Sequence, residues 1–253
     1  MRANLRAKPD APSWPPPLII SHAACRGSAP ENTRAGIRAA LALNVDAIEI
    51  DVHASADGIP VLIHDDTLDR TTNGSGPVSA LRFAALRRLD AGSHGFAGRF
   101  AGEQIPSLAE VVELTRERCL LIVEIKQPDV AALVVEVLRQ ADALPLSMIW
   151  SFHLPAVAEA RRLEPLLPGA LLSPAPANGS DGLFRAALRE NLSAVSVHYT
   201  GIDAALVRAA RLRGLTVYTW TADDPDDQRR LAAAGVDGIV TNVPAVLAEA
   251  LRL

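Results

Sequence analysis

The most constraining feature of the sequence is a repeat of short apolar segments that alternate with amphipathic ones from position 120 onward. The apolar segments recur at intervals of roughly 20 to 30 residues and have the length of strands, whereas the segments between them have a helical period. The predicted strands cover 120–125, 147–152, 170–172, 194–197, 216–220 and 238–240. The predicted helices begin near Asp129, Leu154, Asp181, Asp203, Pro225 and Pro244. This alternation is typical of an α/β fold with a parallel sheet.

Two further units precede this region. Residues 18–22 form a short apolar run that ends on a polar residue, and 30–33 is predicted to start a helix. A second strand is predicted to end at Asp51, and 59–63 to return beside it as a hairpin. The count is then eight β/α units, which predicts a (β/α)8 TIM barrel. A doubly wound open sheet is disfavoured because no GxGxxG loop follows the first strand.

The chain is expected to hold one barrel domain. Residues 1–17 are polar and Pro-rich and are predicted to be an N-terminal extension, with the barrel covering 18–253. An insertion is predicted at about 66–105, where Gly, Arg, Ser and Ala are frequent and no long-range period is found. After it, Ser107 and Glu110 have the spacing of a capping box, which predicts the start of the next helix.

Composition and charge limit the partners. The net charge of −4 over 253 residues argues against a nucleic-acid surface, which would carry a basic stripe. The two cysteines, Cys25 and Cys119, are far apart and suggest neither a disulfide framework nor a zinc site. No apolar run approaches the roughly 20 residues of a membrane span, and the first residues lack the apolar core of a secretory signal. We therefore expect a cytoplasmic protein, whose oligomeric state the sequence leaves open.

The segment 46–66 contains the first candidate site. Side chains alternate along a strand, so Glu49 and Asp51 project to the same side. Two adjacent carboxylates repel unless a cation lies between them, and oxygen ligands suit one hard divalent ion, Mg²⁺ or Ca²⁺. The turn signal at Asp57 and Gly58 would bring His64 back towards these carboxylates.

Other polar residues also fall at strand ends, where the active site of a TIM barrel lies. Glu124 and Lys126 repeat the same spacing on the next barrel strand, and His22 ends the first one. Three carboxylates, one ammonium and two histidines would then converge on a site suited to acid–base chemistry on a metal-bound anionic substrate. The residues alone leave two alternatives: a structural salt bridge of Lys126 with these acids, and hydrogen-bonded core histidines.

Taken together, these residues resemble the glycerophosphodiester phosphodiesterase family, in particular its short bacterial-type cytosolic members. The resemblance covers almost the whole chain from position 18 to about 247. It rests on His22 with PENT at 30–33, IEIDVHASADGIPVLIHDDTLDRTTNGSG at 48–76, LDAGS at 89–93, IPSLAEVV at 105–112, VEIK at 123–126, SF at 151–152, VYTWTADDP at 217–225 and GVDGIVTNVP at 235–244.

The resemblance implies a barrel with an insertion after the second strand and assigns roles to the candidate residues. It implies a divalent cation held by Glu49, Asp51 and Glu124, and a phosphate contact from Lys126. It also implies an acid/base pair, His22 and His64, and a tryptophan, Trp220, on the glycerol side of the pocket.

The chain departs from the family after the first histidine. The family usually has Arg-Gly there, and this sequence has Ala23 and Ala24. The distance from His22 to PENT is preserved, so the arginine has been replaced and not shifted, and Arg26 is the candidate to supply the missing charge. Asn242 stands where the family commonly has Asp, a milder change.

The expected function is metal-dependent hydrolysis of a small-molecule glycerophosphodiester to sn-glycerol 3-phosphate and an alcohol. His64 is hypothesised to be the leaving-group acid, because Asp65 and Asp66 next to it would favour its protonated form. Two alternatives remain: cleavage of lysophospholipids, which needs an apolar rim, and a weakened phosphodiester-binding barrel caused by Ala23. An enolase-like reaction is disfavoured because two of the acids share one strand.

Overall fold

The computed structural model describes residues 14–176 and 179–252, so most of the predicted N-terminal extension lies outside the described residues. The strands are β1 (Leu18–Ser21), β2 (Ala47–Ala54), β3 (Pro60–Leu62), β4 (Leu120–Ile125), β5 (Ser147–Ser151), β6 (Gly169–Ser173), β7 (Ala194–His198), β8 (Thr216–Trp220) and β9 (Gly238–Thr241). The helices are α1 (Arg34–Ala42), α2 (Phe83–Leu86), α3 (Leu108–Thr115), α4 (Ala131–Gln140), α5 (Leu154–Leu163), α6 (Asp181–Arg189), α7 (Ala204–Arg211), α8 (Pro225–Ala234) and α9 (Pro244–Ala250).

The strands close into a barrel. β1 pairs in parallel with both β2 and β9, and the sheet runs from β9 through β8, β7, β6, β5 and β4 back to β2. Among the described strands, β3 pairs with β2 alone, in the antiparallel direction. The described part of the chain therefore contains eight parallel barrel strands and one appended hairpin strand, and the predicted (β/α)8 barrel is confirmed.

Strand alternation separates two apolar layers. On β2, Ile48, Ile50 and Val52 face outward and pack in the large cluster between the sheet and the helices. The barrel interior is filled by Ile20, Ala47, Ile122, Met148, Trp150, Ala170, Leu172, Ala194, Tyr218 and Val240. The side chains that share this inward direction further along the strands form the mouth of the barrel.

Side-chain caps fix several helix starts. Thr33 accepts a hydrogen bond from the amide of Gly36 at the start of α1, and Ser107 and Glu110 form the predicted capping box of α3. Asp203 and Asp224 accept from amides in the first turns of α7 and α8. The predicted helix starts at Leu154, Asp181, Pro225 and Pro244 agree with the structure.

The second strand is longer than the sequence indicated. We expected it to end at Asp51, but β2 continues to Ala54. The expectation was wrong because the backbone beyond Asp51 pairs with β3, where His53 lies opposite Val61. Asp51 is thus inside a strand that rises above the barrel, and this extension supports the return of the chain to His64.

The segment between β3 and α3 packs over one side of the barrel mouth. It contains α2 and two short 3₁₀ turns at Val78–Ala80 and Phe96–Gly98. A separate apolar cluster holds it together: Val61, Ile63, Leu68, Val78, Leu86, Ala91 and Ile105. Among the described residues, no helix is both long and apolar enough to cross a membrane.

Candidate active site

Three carboxylates converge at the mouth of the barrel. Parallel pairing of β2 with β4 sets Asp51 beside Glu124, and Glu49 lies one inward position below Asp51. One carboxylate oxygen from each of the three lies within 4.8 Å of the others. Their exposures are only 3% for Glu49, 1% for Asp51 and 9% for Glu124, so this is a buried cluster of like charge.

Neighbouring groups satisfy most, but not all, of these oxygens. Lys126 Nζ donates to Glu124 Oε1 at 2.7 Å and to Asp51 Oδ1 at 3.2 Å. The Asn32 amide donates to Asp51 Oδ2 at 2.8 Å, and the Ala23 amide donates to Glu49 Oε2 at 2.9 Å. Glu49 Oε1 is buried and has no hydrogen-bond partner among residues 14–176 and 179–252. One ammonium cannot neutralise three carboxylates, so a salt bridge with Lys126 alone does not account for the cluster.

Burial and the neighbouring charges shift the pKa values of all three carboxyl groups. Burial, and then the charges of Asp51 and Glu124, hold the pKa of Glu49 well above its usual value. Burial and Asp51 likewise raise the pKa of Glu124. Burial also acts against the ionised form of Asp51, but Lys126 and then His64 and Asn32 outweigh it, and the pKa of Asp51 is lowered.

These groups fit a divalent cation. They supply oxygen ligands only, and one of these oxygens, Glu49 Oε1, has no partner in the described part of the chain. A hard ion with charge +2 would offset the excess negative charge and occupy the orphaned oxygen. The buried acidic cluster is therefore a candidate divalent metal site.

His22 follows β1 and is held by a chain of hydrogen bonds. Asn242 Nδ2 donates to Asp223 Oδ2 at 2.7 Å, which leaves Asn242 Oδ1 to face His22 Nδ1 at 2.7 Å. Because an amide oxygen only accepts, the proton of the neutral His22 ring lies on Nδ1, and Nε2 is unprotonated. Burial lowers the pKa of His22, opposed chiefly by the bond to Asn242, so the imidazole is neutral at pH 7.

His64 has a different partner. Its Nδ1 lies 2.8 Å from Asp65 Oδ1, and its side chain is 40% exposed. Arg70 donates to both oxygens of Asp65, from Nε to Oδ2 at 2.7 Å and from Nη2 to Oδ1 at 2.9 Å. The same guanidinium donates to both oxygens of Glu31. His64 therefore has an anionic partner, whereas His22 has a neutral one.

The histidines open on one cleft with an empty volume of about 530 Å³. Its polar side is lined by His22, Glu49, His64, Glu124 and Lys126. Its apolar side is lined by Trp150, Phe152, Leu172, Trp220 and Val240. The Phe152 and Trp220 rings contact edge to face with centroids 5.3 Å apart. The cleft thus has charged and apolar walls suited to an amphiphilic anion.

Most of the predicted site residues meet at this cleft. His22, His64, Glu49, Glu124, Lys126 and Trp220 line it, and Asp51 lies directly behind, bonded to Lys126. Arg26 is not among the lining residues: its Nε lies 3.1 Å from Glu31 Oε2, in a neighbouring depression. Ala23 is fully buried with a φ of 44°, and contributes its amide, not its side chain, to Glu49.

Several residues of the site were missed in the sequence. Asn32 orients Asp51, Arg70 holds Asp65 against His64, Asp223 fixes Asn242, and Phe152 covers Trp220. Asn32 was quoted within PENT and Arg70 within LDRTT, but only as motif letters. Phe152 had a direct signal, because it shares the inward direction of Trp150 on the fifth strand.

Comparison with known proteins identifies the family of the chain. The model of the glycerophosphoryl diester phosphodiesterase family matches residues 22–246. The chain belongs to this family. A glycerophosphodiester phosphodiesterase from Caldanaerobacter subterraneus subsp. tengcongensis is 34% identical over 241 residues, covering 93% of this chain and 98% of the relative. One from Bacillus subtilis is 30% identical, covering 90% and 84%. The extent of these matches supports a glycerophosphodiester phosphodiesterase, a phosphoric diester hydrolase.

Solved structures of the family share the fold. A phosphodiesterase from Oleispira antarctica, in complex with the product sn-glycerol-3-phosphate, superposes with a TM-score of 0.87 at 30% identity, covering 94% of this chain and 98% of its own. A glycerophosphodiester phosphodiesterase from Agrobacterium tumefaciens gives a TM-score of 0.81 at 29% identity, covering 92% and 99%.

Proposed function

We propose that the chain hydrolyses glycerophosphodiesters to sn-glycerol 3-phosphate and an alcohol, and that it requires one divalent cation, Mg²⁺ or Ca²⁺. The observation that carries this proposal is the orphaned Glu49 Oε1 within a buried cluster of three carboxylates, beside two histidines that open on the same cleft. Family membership supplies the reaction class.

Glu49, Asp51 and Glu124 would hold the cation, which when bound supplies Lewis-acid stabilisation of the phosphodiester oxygens. Lys126 is the second cationic group. Burial opposes the charge of Lys126, but Asp51 and Glu124 raise its pKa, so its side chain stays a charged ammonium at neutral pH. Its contacts with Asp51 and Glu124 aim this charge at the cleft, where it would bind a non-bridging phosphate oxygen.

We propose that His22 is the general base and His64 the general acid. Neutral His22, whose Nε2 is unprotonated, can accept a proton from the attacking nucleophile. His64 Nδ1 lies 2.8 Å from the carboxylate of Asp65, and His64 would donate a proton to the leaving alkoxide. The different partners of the two side chains, an amide and a carboxylate, favour this assignment over its reverse.

The apolar wall is the proposed glycerol side. Trp220 is fixed by a hydrogen bond from its Nε1 to the Ser196 carbonyl at 3.3 Å and by its contact with Phe152. These rings would pack against the carbon face of the glycerol unit. The Oleispira antarctica neighbour, whose bound product is sn-glycerol-3-phosphate, supports a substrate of this size.

Arg26 is proposed as a second phosphate contact. Glu31, its present partner, already has both oxygens bonded to Arg70, so Arg26 is held by one additional contact at 3.1 Å. Its amide donates to the His22 carbonyl, which keeps it close to the site. If Arg26 supplies the charge, Ala23→Arg will leave kcat unchanged. An increase of about 10-fold or more would instead favour a barrel weakened by the alanine.

Cleavage of lysophospholipids is a second candidate because Phe152 is 43% exposed at the rim of the cleft. A product assay separates the two. We expect release of glycerol 3-phosphate from glycerophosphocholine and glycerophosphoethanolamine, detected by a coupled dehydrogenase. Activity confined to lysophosphatidylcholine would reject the first proposal. Release of phosphocholine would show that the bond between glycerol and phosphate is cleaved, and not the predicted bond between phosphate and the alcohol.

A further inference from the structure

The side chain of Arg70, in the segment between β3 and α3, bonds residues of two loops at the site. Arg70 presents two edges: its Nε and Nη2 donate to Asp65, and its Nη1 and Nη2 donate to Glu31 at 2.9 and 2.6 Å. The side chain of Glu31 is only 10% exposed. We propose that Arg70 is a positioning residue for the phosphodiesterase reaction, which acts through Asp65 to hold the His64 ring with Nε2 facing the substrate.

The direction of each hydrogen bond defines what Arg70 controls. A guanidinium only donates, so both oxygens of Asp65 are acceptors and Asp65 stays ionised. An ionised carboxylate can only accept from His64 Nδ1, which fixes the proton on that nitrogen. Nε2 is then the nitrogen left for the cleft that His64 lines.

The geometry also explains why this residue is an arginine. Asp65 and Glu31 bond two different edges of the planar guanidinium. A lysine has one ammonium group on a flexible side chain, so it cannot form two such paired contacts. Glu31 belongs to the same loop as Asn32, whose amide holds Asp51. Arg70 therefore ties the loop that carries His64 to the loop that orients a candidate metal ligand.

The competing explanation is a salt bridge that only stabilises the segment between β3 and α3. The same segment contains a matched control, Arg87, which donates to both oxygens of Glu110 and does not contact Asp65 or His64. Its side chain is 25% exposed, compared with 41% for Arg70. Loss of either bridge should affect folding to a similar extent, but only loss of Arg70 should affect His64.

A double-mutant cycle separates the two explanations. This inference rests on the proposed function, so glycerol 3-phosphate release by the wild-type chain is measured first, and inactivity there would reject that function and not the role of Arg70. With an active wild type, Arg70→Gln is expected to lower kcat by about 10- to 100-fold with little change in KM, whereas Arg87→Gln has little effect. In a His64→Ala background, Arg70→Gln should change kcat by less than about 2-fold. Equal losses in both backgrounds would overturn the proposal.

A second readout does not depend on activity. In the wild-type chain labelled with ¹⁵N-histidine, the neutral His64 ring should show Nδ1 protonated and Nε2 unprotonated. Arg70→Gln should move the ring towards the opposite tautomer, and Arg87→Gln should not. An unchanged tautomer in a folded Arg70→Gln variant would contradict the positioning role even if kcat fell.

Discussion

Replacing Glu49 with glutamine perturbs the candidate metal site with little change in shape. Glutamine retains an oxygen that can accept from the Ala23 amide, as Glu49 Oε2 does at 2.9 Å. Its NH₂ group would occupy the place of the orphaned Oε1 and face Asp51 and Glu124, both of which can accept. Glu49→Gln should therefore stabilise the metal-free protein and weaken cation binding.

The magnitude follows from the spacing of the carboxylates. With oxygens within 4.8 Å of one another, two unit charges repel by about 3.5 kcal/mol at an effective dielectric constant of about 20. Lys126 offsets part of this repulsion, and protonation of Glu49 avoids part of the rest. We expect Glu49→Gln to raise the free energy of unfolding by about 1 to 3 kcal/mol, or Tm by about 2 to 10 °C.

The effect should depend on pH with a defined sign. Burial, and then Asp51 and Glu124, raise the pKa of Glu49 in the folded state above its unfolded value. The folded wild type therefore holds a proton that the unfolded chain has lost, and its stability falls as pH rises through the raised pKa. The advantage of Glu49→Gln should be small near about pH 5 and larger near about pH 8.

The assay is thermal unfolding in EDTA and in millimolar Mg²⁺ or Ca²⁺, at both pH values. The wild type should gain stability from the cation at the higher pH, and Glu49→Gln should gain much less. Glu113→Gln is the control, because the Glu113 side chain is 73% exposed on α3. A Glu49→Gln variant that is less stable than wild type in EDTA at the higher pH would refute the charge argument.

Three further predictions concern the proposed catalytic groups. His64→Ala should lower kcat for glycerophosphocholine by about 10²- to 10⁴-fold but largely spare p-nitrophenyl phosphodiesters, and equal losses on both would reject His64 as the acid. Asn242→Asp places a carboxylate against His22 Nδ1 and should raise the pKa of His22, so the acid limb of the kcat/KM profile should move to higher pH. An unmoved limb would exclude His22 as the base. Lys126→Met removes the ammonium from two buried acids and should lower the Tm in EDTA, partly recovered by Mg²⁺; no loss of Tm would show that these acids are protonated without it.

The sequence predicted the inward-facing part of the site because strand alternation is a short-range rule. Glu49 and Asp51 on β2, and Glu124 and Lys126 on β4, share one direction in the structure as their spacing required. Once the barrel was predicted, their convergence followed from parallel pairing.

The loop contacts could not be predicted in the same way. Arg70 bonds Glu31, which lies 39 positions away in the chain. The position of Arg70 depends on how the segment between β3 and α3 packs. The partner of Arg26 likewise follows from the fold of the first βα loop and not from a period. The end of β2 was misjudged because pairing with β3, not local preference, extends it to Ala54.

The most direct test of the account is a metal titration of the wild-type reaction. Protein depleted with EDTA should release no glycerol 3-phosphate from glycerophosphocholine, and added Mg²⁺ or Ca²⁺ should restore release to a plateau at about one bound cation per chain. Full activity in EDTA, with no cation bound at the plateau, would contradict the assignment of Glu49, Asp51 and Glu124 as metal ligands.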